Sequence, residues 1–267
     1  MRLLAITSLA LAAGVKAVVV PAVAPAGHSH SMIPVETVPL GKNVTINGVL
    51  TYVSLPQHKA FDPEVAILML TDVFGLPSPD NLVLADQWAA AGFQTFAPDY
   101  LNGDALPMDG DVTTWIVNHG AAQTNPPLLA VISALKSRGI KHLAVTGYCF
   151  GGLYTIRLVQ NNTIAVGTTA HPAFLTVPDD FDVIKAQSHV AIEINNAELD
   201  TGFTPALAVE TDGVLGEGQY PPGYKRVQFD GVGHGFAVRA NASDPVQVAA
   251  KQGAFDTSLA WIKAHLK

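Results

Sequence analysis

The chain has a single cysteine, Cys149. One thiol excludes an intramolecular disulfide framework, so stability must come from a buried core. Charged side chains are scarce, at 14% of the 267 residues, and acids exceed bases to give a formal net charge of -7. There is no basic run, which argues against nucleic acid as a partner. Aromatic residues are also few, at 7%. Low aromatic and charged content together suit a compact secreted enzyme. No apolar run reaches the ~20 residues that a membrane-spanning helix needs.

The apolar stretch that comes nearest, Leu3 to Val15, follows Met1-Arg2 and has the look of a secretory signal. Val15-Lys16-Ala17 offers a cleavage site, whereas Pro25 disfavours one after Ala22-Val23-Ala24. The expected organisation is a signal peptide over residues 1–17, an unstructured lead-in over 18–39 and a single domain over 40–267. The mature chain is then secreted and free of the membrane. Three N-x-S/T sequons, at Asn43, Asn161 and Asn241, fit the same expectation as glycosylation sites.

The lone cysteine lies in Gly147-Tyr148-Cys149-Phe150-Gly151. A G-x-nucleophile-x-G run serves a strand that ends in a tight turn and passes at once into a helix, pushing the central side chain into an exposed, strained position. The glycines remove Cβ atoms that would clash in that turn. The context fits: His142 to Thr146 reads as a buried strand and Phe150 to Gln160 as a helix. A free thiol in a secreted chain is otherwise a liability, and catalysis explains it better than packing.

Apolar runs and helical spacings alternate along the rest of the chain. Asn43 to Leu55 predicts an opening antiparallel strand or hairpin, and Val65 to Leu70 a strand buried on both faces. Helices are expected over 81–91, 128–136, 204–211 and 245–266, and strands over 93–97, 164–169, 190–195 and 224–229. This alternation predicts an α/β fold of the α/β-hydrolase kind, a mostly parallel central sheet with helices on both faces. Functional groups in such folds stand at the carboxyl ends of the strands. Asp72, Cys149, Asp200 and His234 each follow a predicted strand.

Thiol hydrolysis needs a nucleophile, a base to take its proton and an acid to orient the base. The α/β-hydrolase chain order is nucleophile, acid, histidine. Cys149, Asp200 and His234 supply that order. His234 is flanked by Gly233 and Gly235, which free the backbone to aim an imidazole from a loop. Asp200 is chosen as the acid, with Glu198 as its rival in the same segment. The oxyanion donors are expected to be the backbone N–H groups of Phe150, at the helix start, and Val73, after the strand that ends near Asp72.

Several blocks together resemble the dienelactone hydrolase (carboxymethylenebutenolidase) family, and its fungal branch in particular. They are Thr71-Asp72-Val73-Phe74-Gly75-Leu76, Pro98-Asp99-Tyr100, the elbow through Gly152, Ala170-His171-Pro172, Ala197-Glu198-Leu199-Asp200 and Gly233-His234-Gly235-Phe236. The resemblance implies a Cys149-Asp200-His234 triad. It implies that Asp72, standing where bacterial members carry glutamate, tunes the nucleophile. It places Tyr100 and Arg239 against the substrate and gives His171 a structural or substrate-facing role. Bacterial members clamp a substrate carboxylate with arginines; here Arg239 is displaced by one position, and no arginine occurs between residues 3 and 137.

The expected activity is therefore a secreted, cysteine-dependent hydrolysis of activated esters or (di)enol lactones through a thioester acyl-enzyme. The expected partner is a small-molecule ester or lactone. No metal or organic cofactor is required, and the chain is expected to be a monomer or weak dimer. Two other readings stay open on sequence alone: a tailoring hydrolase or thioesterase of secondary metabolism, and a non-catalytic secreted binding protein on the same fold.

Overall fold

Asn47 and Gly48 both take positive φ, 48° and 82°, as a two-residue hairpin turn requires. They join β1 (Lys42–Ile46) to β2 (Val49–Ser54), the expected opening hairpin. In this computed structural model residues 38–57 and 60–266 are described, and they belong to one compact unit. The expected signal peptide and nearly all of the lead-in lie outside the described residues.

β3 (Val65–Leu70) is buried over its last five residues, as its unbroken apolar run dictates. Beside it stand β4 (Gln94–Pro98), β5 (His142–Tyr148), β6 (Val166–Ala170), β7 (Ala191–Ala197) and β8 (Tyr224–Phe229). The sheet runs β1-β2-β4-β3-β5-β6-β7-β8. β1 and β2 are antiparallel additions at one edge, and every pairing from β4 to β8 is parallel.

The helices are α1 (Pro79–Ala90), α2 (Val112–Trp115), α3 (Ala121–Ser137), α4 (Phe150–Gln160), α5 (Asp179–Gln187), α6 (Pro205–Leu215) and α7 (Pro245–His265). α1 and α7 share one face of the sheet, where the Trp88 and Phe255 rings lie 4.6 Å apart. α3 and α4 share the other, with α5 packed on α4 and α6 on α5.

Three helical segments differ from the sequence expectation. α3 starts seven residues before Leu128 and runs through Pro126 and Pro127. Interior prolines forfeit backbone bonds, but the buried face of Thr124, Leu128, Val131, Ile132 and Leu135 holds the helix together. The short α2 and the crossover helix α5 carry weak apolar periodicity. α5 has only Phe181 and Ile184 as buried apolar anchors, behind a first turn of three aspartates.

Candidate active site

The elbow is built by close approach. A Cβ on Gly147 would overlap the Gly151 carbonyl and the Thr155 hydroxyl, and one on Gly151 would overlap the Leu70 carbonyl. Only glycine lets α4 start directly over β3 and β5. Between them Cys149 takes φ 54° and ψ -113°, a strained conformation for a residue with a side chain. Its carbonyl accepts from Gly152 N–H at 2.9 Å and Ala173 N–H at 3.1 Å, and its own N–H donates to Ala170 at 3.2 Å. The strained turn is thus pinned on three sides.

His234 comes from the loop after β8. Its Nδ1 lies 2.9 Å from Asp200 Oδ2 and 3.1 Å from Oδ1. The Asp200 carboxylate is wholly buried, and its Oδ1 also accepts from Gly202 N–H at 2.8 Å and Phe203 N–H at 3.2 Å. Glu198 is exposed and its carboxylate accepts from Gly231 N–H at 2.8 Å, so geometry separates the two rivals. Burial pulls the His234 pKa down, but the bonds to Asp200 and the Cys149 thiol outweigh it and hold the imidazole up at about 10. The imidazole therefore links the acid and the thiol, and its charged form is favoured.

Asp72, the acid expected to tune the nucleophile, is held by three partners of its own chain. It is fully buried. Its Oδ1 accepts from Phe74 N–H at 3.0 Å and from Asn81 Nδ2 at 2.8 Å, and its Oδ2 is ion-paired with Arg239 Nη1. Arg239 also lies over the Phe74 ring, 4.5 Å from its centroid. The guanidinium expected to face substrate is thus engaged by a carboxylate and an aromatic face of its own chain. Asn81 has no strong sequence signal: a single amide in the first turn of α1, it becomes a brace only because β3 and α1 meet there.

Two other residues named for the substrate side, Tyr100 and His171, are buried. Tyr100 has no exposed surface; its hydroxyl donates to the Thr71 carbonyl at 2.5 Å and its ring lies parallel to Phe150. Burial raises its pKa well above the ordinary value. Tyr100 thus supports the elbow from below. His171 is also fully buried, with φ 39°. Its ring packs edge-to-face on His234 at 4.9 Å, and among the described residues neither ring nitrogen has a hydrogen-bond partner. Burial, and then the nearby positive charges of His234 and Arg239, push its pKa well below 6.5. It is a neutral wall against which the other imidazole rests.

Val73 and Phe150 follow the carboxyl ends of β3 and β5. Phe150 opens α4, where first-turn N–H groups lack intrahelical acceptors. Asn43, Asn161 and Asn241 are exposed. Among the described residues no group of three or more His, Cys, Asp or Glu could hold a metal ion, and no helix is long and apolar enough to cross a membrane.

An eight-stranded, mostly parallel sheet with a strand–elbow–helix nucleophile position and a histidine–aspartate pair on later loops defines an α/β-hydrolase. Residues 49–266 match the model of the dienelactone hydrolase family, and the chain belongs to that family. It is 31% identical over 232 residues to Hydrolase pyvD of Aspergillus violaceofuscus, covering 85% of this chain and 91% of that protein. It is 27% identical over 238 residues to Dienlactone hydrolase 1 of Gibberella moniliformis, covering 84% and 87% respectively. The crystal structure of a putative dienelactone hydrolase from Klebsiella pneumoniae superposes with a TM-score of 0.70 at 16% identity, over 84% of this chain and 98% of that one. The chain is thus a hydrolase of this family, and small-molecule substrates are consistent with it.

Proposed function

We propose that this protein hydrolyses activated esters or lactones with Cys149 as nucleophile and a thioester as intermediate. The observation that carries the reading is the line from Asp200 through His234 to the Cys149 thiol, assembled on a strained elbow. The thiol sulfur attacks the substrate carbonyl. As it does so, its proton passes to His234, whose charged form Asp200 stabilises. The Val73 and Phe150 N–H groups face the developing oxyanion. Collapse expels the alkoxide or enolate, which takes the proton from His234. Water, deprotonated by the same imidazole, then cleaves the thioester and regenerates the thiol. Thiols suit activated esters and enol lactones, whose leaving groups need little help.

The engagement of Arg239 by Asp72 favours substrates other than a carboxylate-bearing dienelactone. We further propose that the protein is secreted and glycosylated. The N-terminal signal pattern and the exposure of all three sequons support this.

Hydrolysis of a panel of activated esters and lactones, a dienelactone included, by wild type and Cys149→Ala tests the mechanism. Wild type should turn over and accumulate a covalent acyl adduct on Cys149 visible by mass spectrometry, and the variant should do neither. Equal turnover by the two proteins rules out the thiol mechanism.

A further inference from the structure

Cys149 follows β5, Asp200 follows β7 and His234 follows β8, and β6 lies between β5 and β7. The residue that follows β6 is His171, a fully buried imidazole that takes no part in the proton transfers. The sheet order thus sets it between the nucleophile and the strands that carry the acid and the base.

Its segment is fixed to the elbow. Ala170, just before it, accepts the Cys149 N–H at 3.2 Å, and Ala173, two residues after it, donates to the Cys149 carbonyl at 3.1 Å. A Cβ on Gly152, in the first turn of α4, would overlap Thr169 and Pro172 on either side of His171. On the other flank, the His171 N–H donates to the Asn195 carbonyl of β7 at 2.8 Å. Tied in this way to β7 and to the elbow, the backbone holds φ 39°, a left-handed conformation uncommon for a residue with a side chain. Such strain persists where surrounding contacts over-determine it, and it clusters at functional sites.

The ring carries this fixed position to the base. It meets His234 edge-to-face at 4.9 Å, and it meets Phe236, two residues further along the same loop, at 5.5 Å. His234 needs such a stop, because it stands between Gly233 and Gly235 and its side chain is 32% exposed. Its bonds to Asp200 hold one ring atom, Nδ1. A bond at one atom fixes a point and leaves the ring free to swing about it. A second ring set against it at 67° fixes the plane, and with it the edge that His234 turns toward the thiol. Among the described residues neither His171 nitrogen has a hydrogen-bond partner, so the contact is made by the ring as a surface.

We propose that His171 is a positioning residue for the base. Its ring, anchored through backbone bonds on either side to the nucleophile's own peptide groups, holds the His234 imidazole in the plane that serves both Cys149 and Asp200. The proposal rests on the catalytic reading given above and deepens it.

Two substitutions separate the ring from its nitrogens. His171→Phe keeps a flat ring without nitrogens, and His171→Leu keeps apolar bulk without the ring. Phenyl acetate and p-nitrophenyl acetate give the same acyl-enzyme, so their kcat/KM values compare leaving groups. Phenolate is the more basic of the two and depends more on protonation by His234. His171→Phe should stay within about threefold of wild type on both esters, whereas His171→Leu should lose roughly 10–100-fold on phenyl acetate and several-fold less on p-nitrophenyl acetate. His171→Asn tolerates the left-handed backbone and also lacks the ring, so it should behave as His171→Leu does and serves if the leucine variant does not fold. Equal losses on the two esters in the ring-less variants, or losses in His171→Phe that match theirs, overturn the proposal. Exchange of the His234 Nδ1 proton with water, followed by NMR in histidine-labelled protein, reads the same contact without turnover. It should be slow in wild type and His171→Phe and faster in the ring-less variants; equal rates in wild type and those variants also overturn the proposal. Turnover that survives Cys149→Ala refutes the catalytic reading instead, and faster exchange confined to the ring-less variants would then still uphold His171 as the support of His234.

Discussion

Arg239 and Asp72 stand 167 residues apart in the chain and meet in an ion pair whose carboxylate is wholly buried. The pair ties the loop that carries His234 to the turn that carries Val73. Asp72 also receives the Phe74 N–H, and Arg239 covers the Phe74 ring, so the same two side chains fix the shape of that turn. The geometry of the proposed oxyanion donor and that of the base are thereby coupled through one contact.

Removing one partner of that pair should be costly. Arg239→Ala strands a buried carboxylate, and the expected loss is about 3–5 kcal/mol of stability, read from the denaturant midpoint. Arg239→Lys should recover part of this but not all, because lysine lacks the planar fork and stacks less well on Phe74. An unchanged midpoint in Arg239→Ala would show that the Phe74 and Asn81 bonds suffice to hold the buried carboxylate.

The two carboxylates after β7 should behave differently. Asp200→Asn removes the group that orients and stabilises the imidazolium, and kcat should fall by about 10²–10⁴-fold. Glu198→Gln leaves the His234 partner intact, and its kcat should stay close to wild type. Steady-state kinetics on an activated ester decide between them; the opposite ranking would return the acid role to Glu198.

The protonation of His234 gives a pH-dependent stability of definite sign. Its folded pKa, about 10, lies above the ordinary 6.5. The folded state therefore binds its proton more tightly than the unfolded chain does. That contribution is fully present below pH 6.5 and is lost as pH rises through about 10. Wild type should lose stability over this interval relative to Cys149→Ala, in which the thiol no longer helps to hold the proton. Parallel stability–pH curves for the two proteins would show that the thiol does not help to raise this pKa.

His171 offers a test of burial against hydrogen bonding. Phenylalanine fits a similar space and has no ring nitrogens to leave unpaired. His171→Phe should change stability by no more than about 1 kcal/mol in either direction, measured by chemical denaturation. A loss several times larger would mean that the nitrogens are bonded to ordered water.

Much of the chemistry was legible in the linear order. The elbow could be read because its constraint is local: Gly147 and Gly151 are required by overlaps with atoms of the same turn and of the strand alongside. The parallel sheet could be read because doubly buried strands need unbroken apolar runs, as in Val65 to Leu70. α5 could not, since two apolar side chains do not make a period, and neither could the start of α3, where interior prolines at 126 and 127 disfavour a helix locally. Their helical state is decided by packing on neighbouring elements.

What the sequence by itself determined is the alternation of elements, the strained thiol between its glycines, and the order Cys149, Asp200, His234 along the chain. Only the tertiary structure decided which acid meets His234, that Asp72 engages Arg239, and that Tyr100 and His171 are sealed beneath the site. The physical reason is range. Backbone sterics act between residues a few positions apart and leave their mark in a short motif. Burial and ion pairing act between segments that share no local pattern, and become fixed only when the sheet brings its strand ends together.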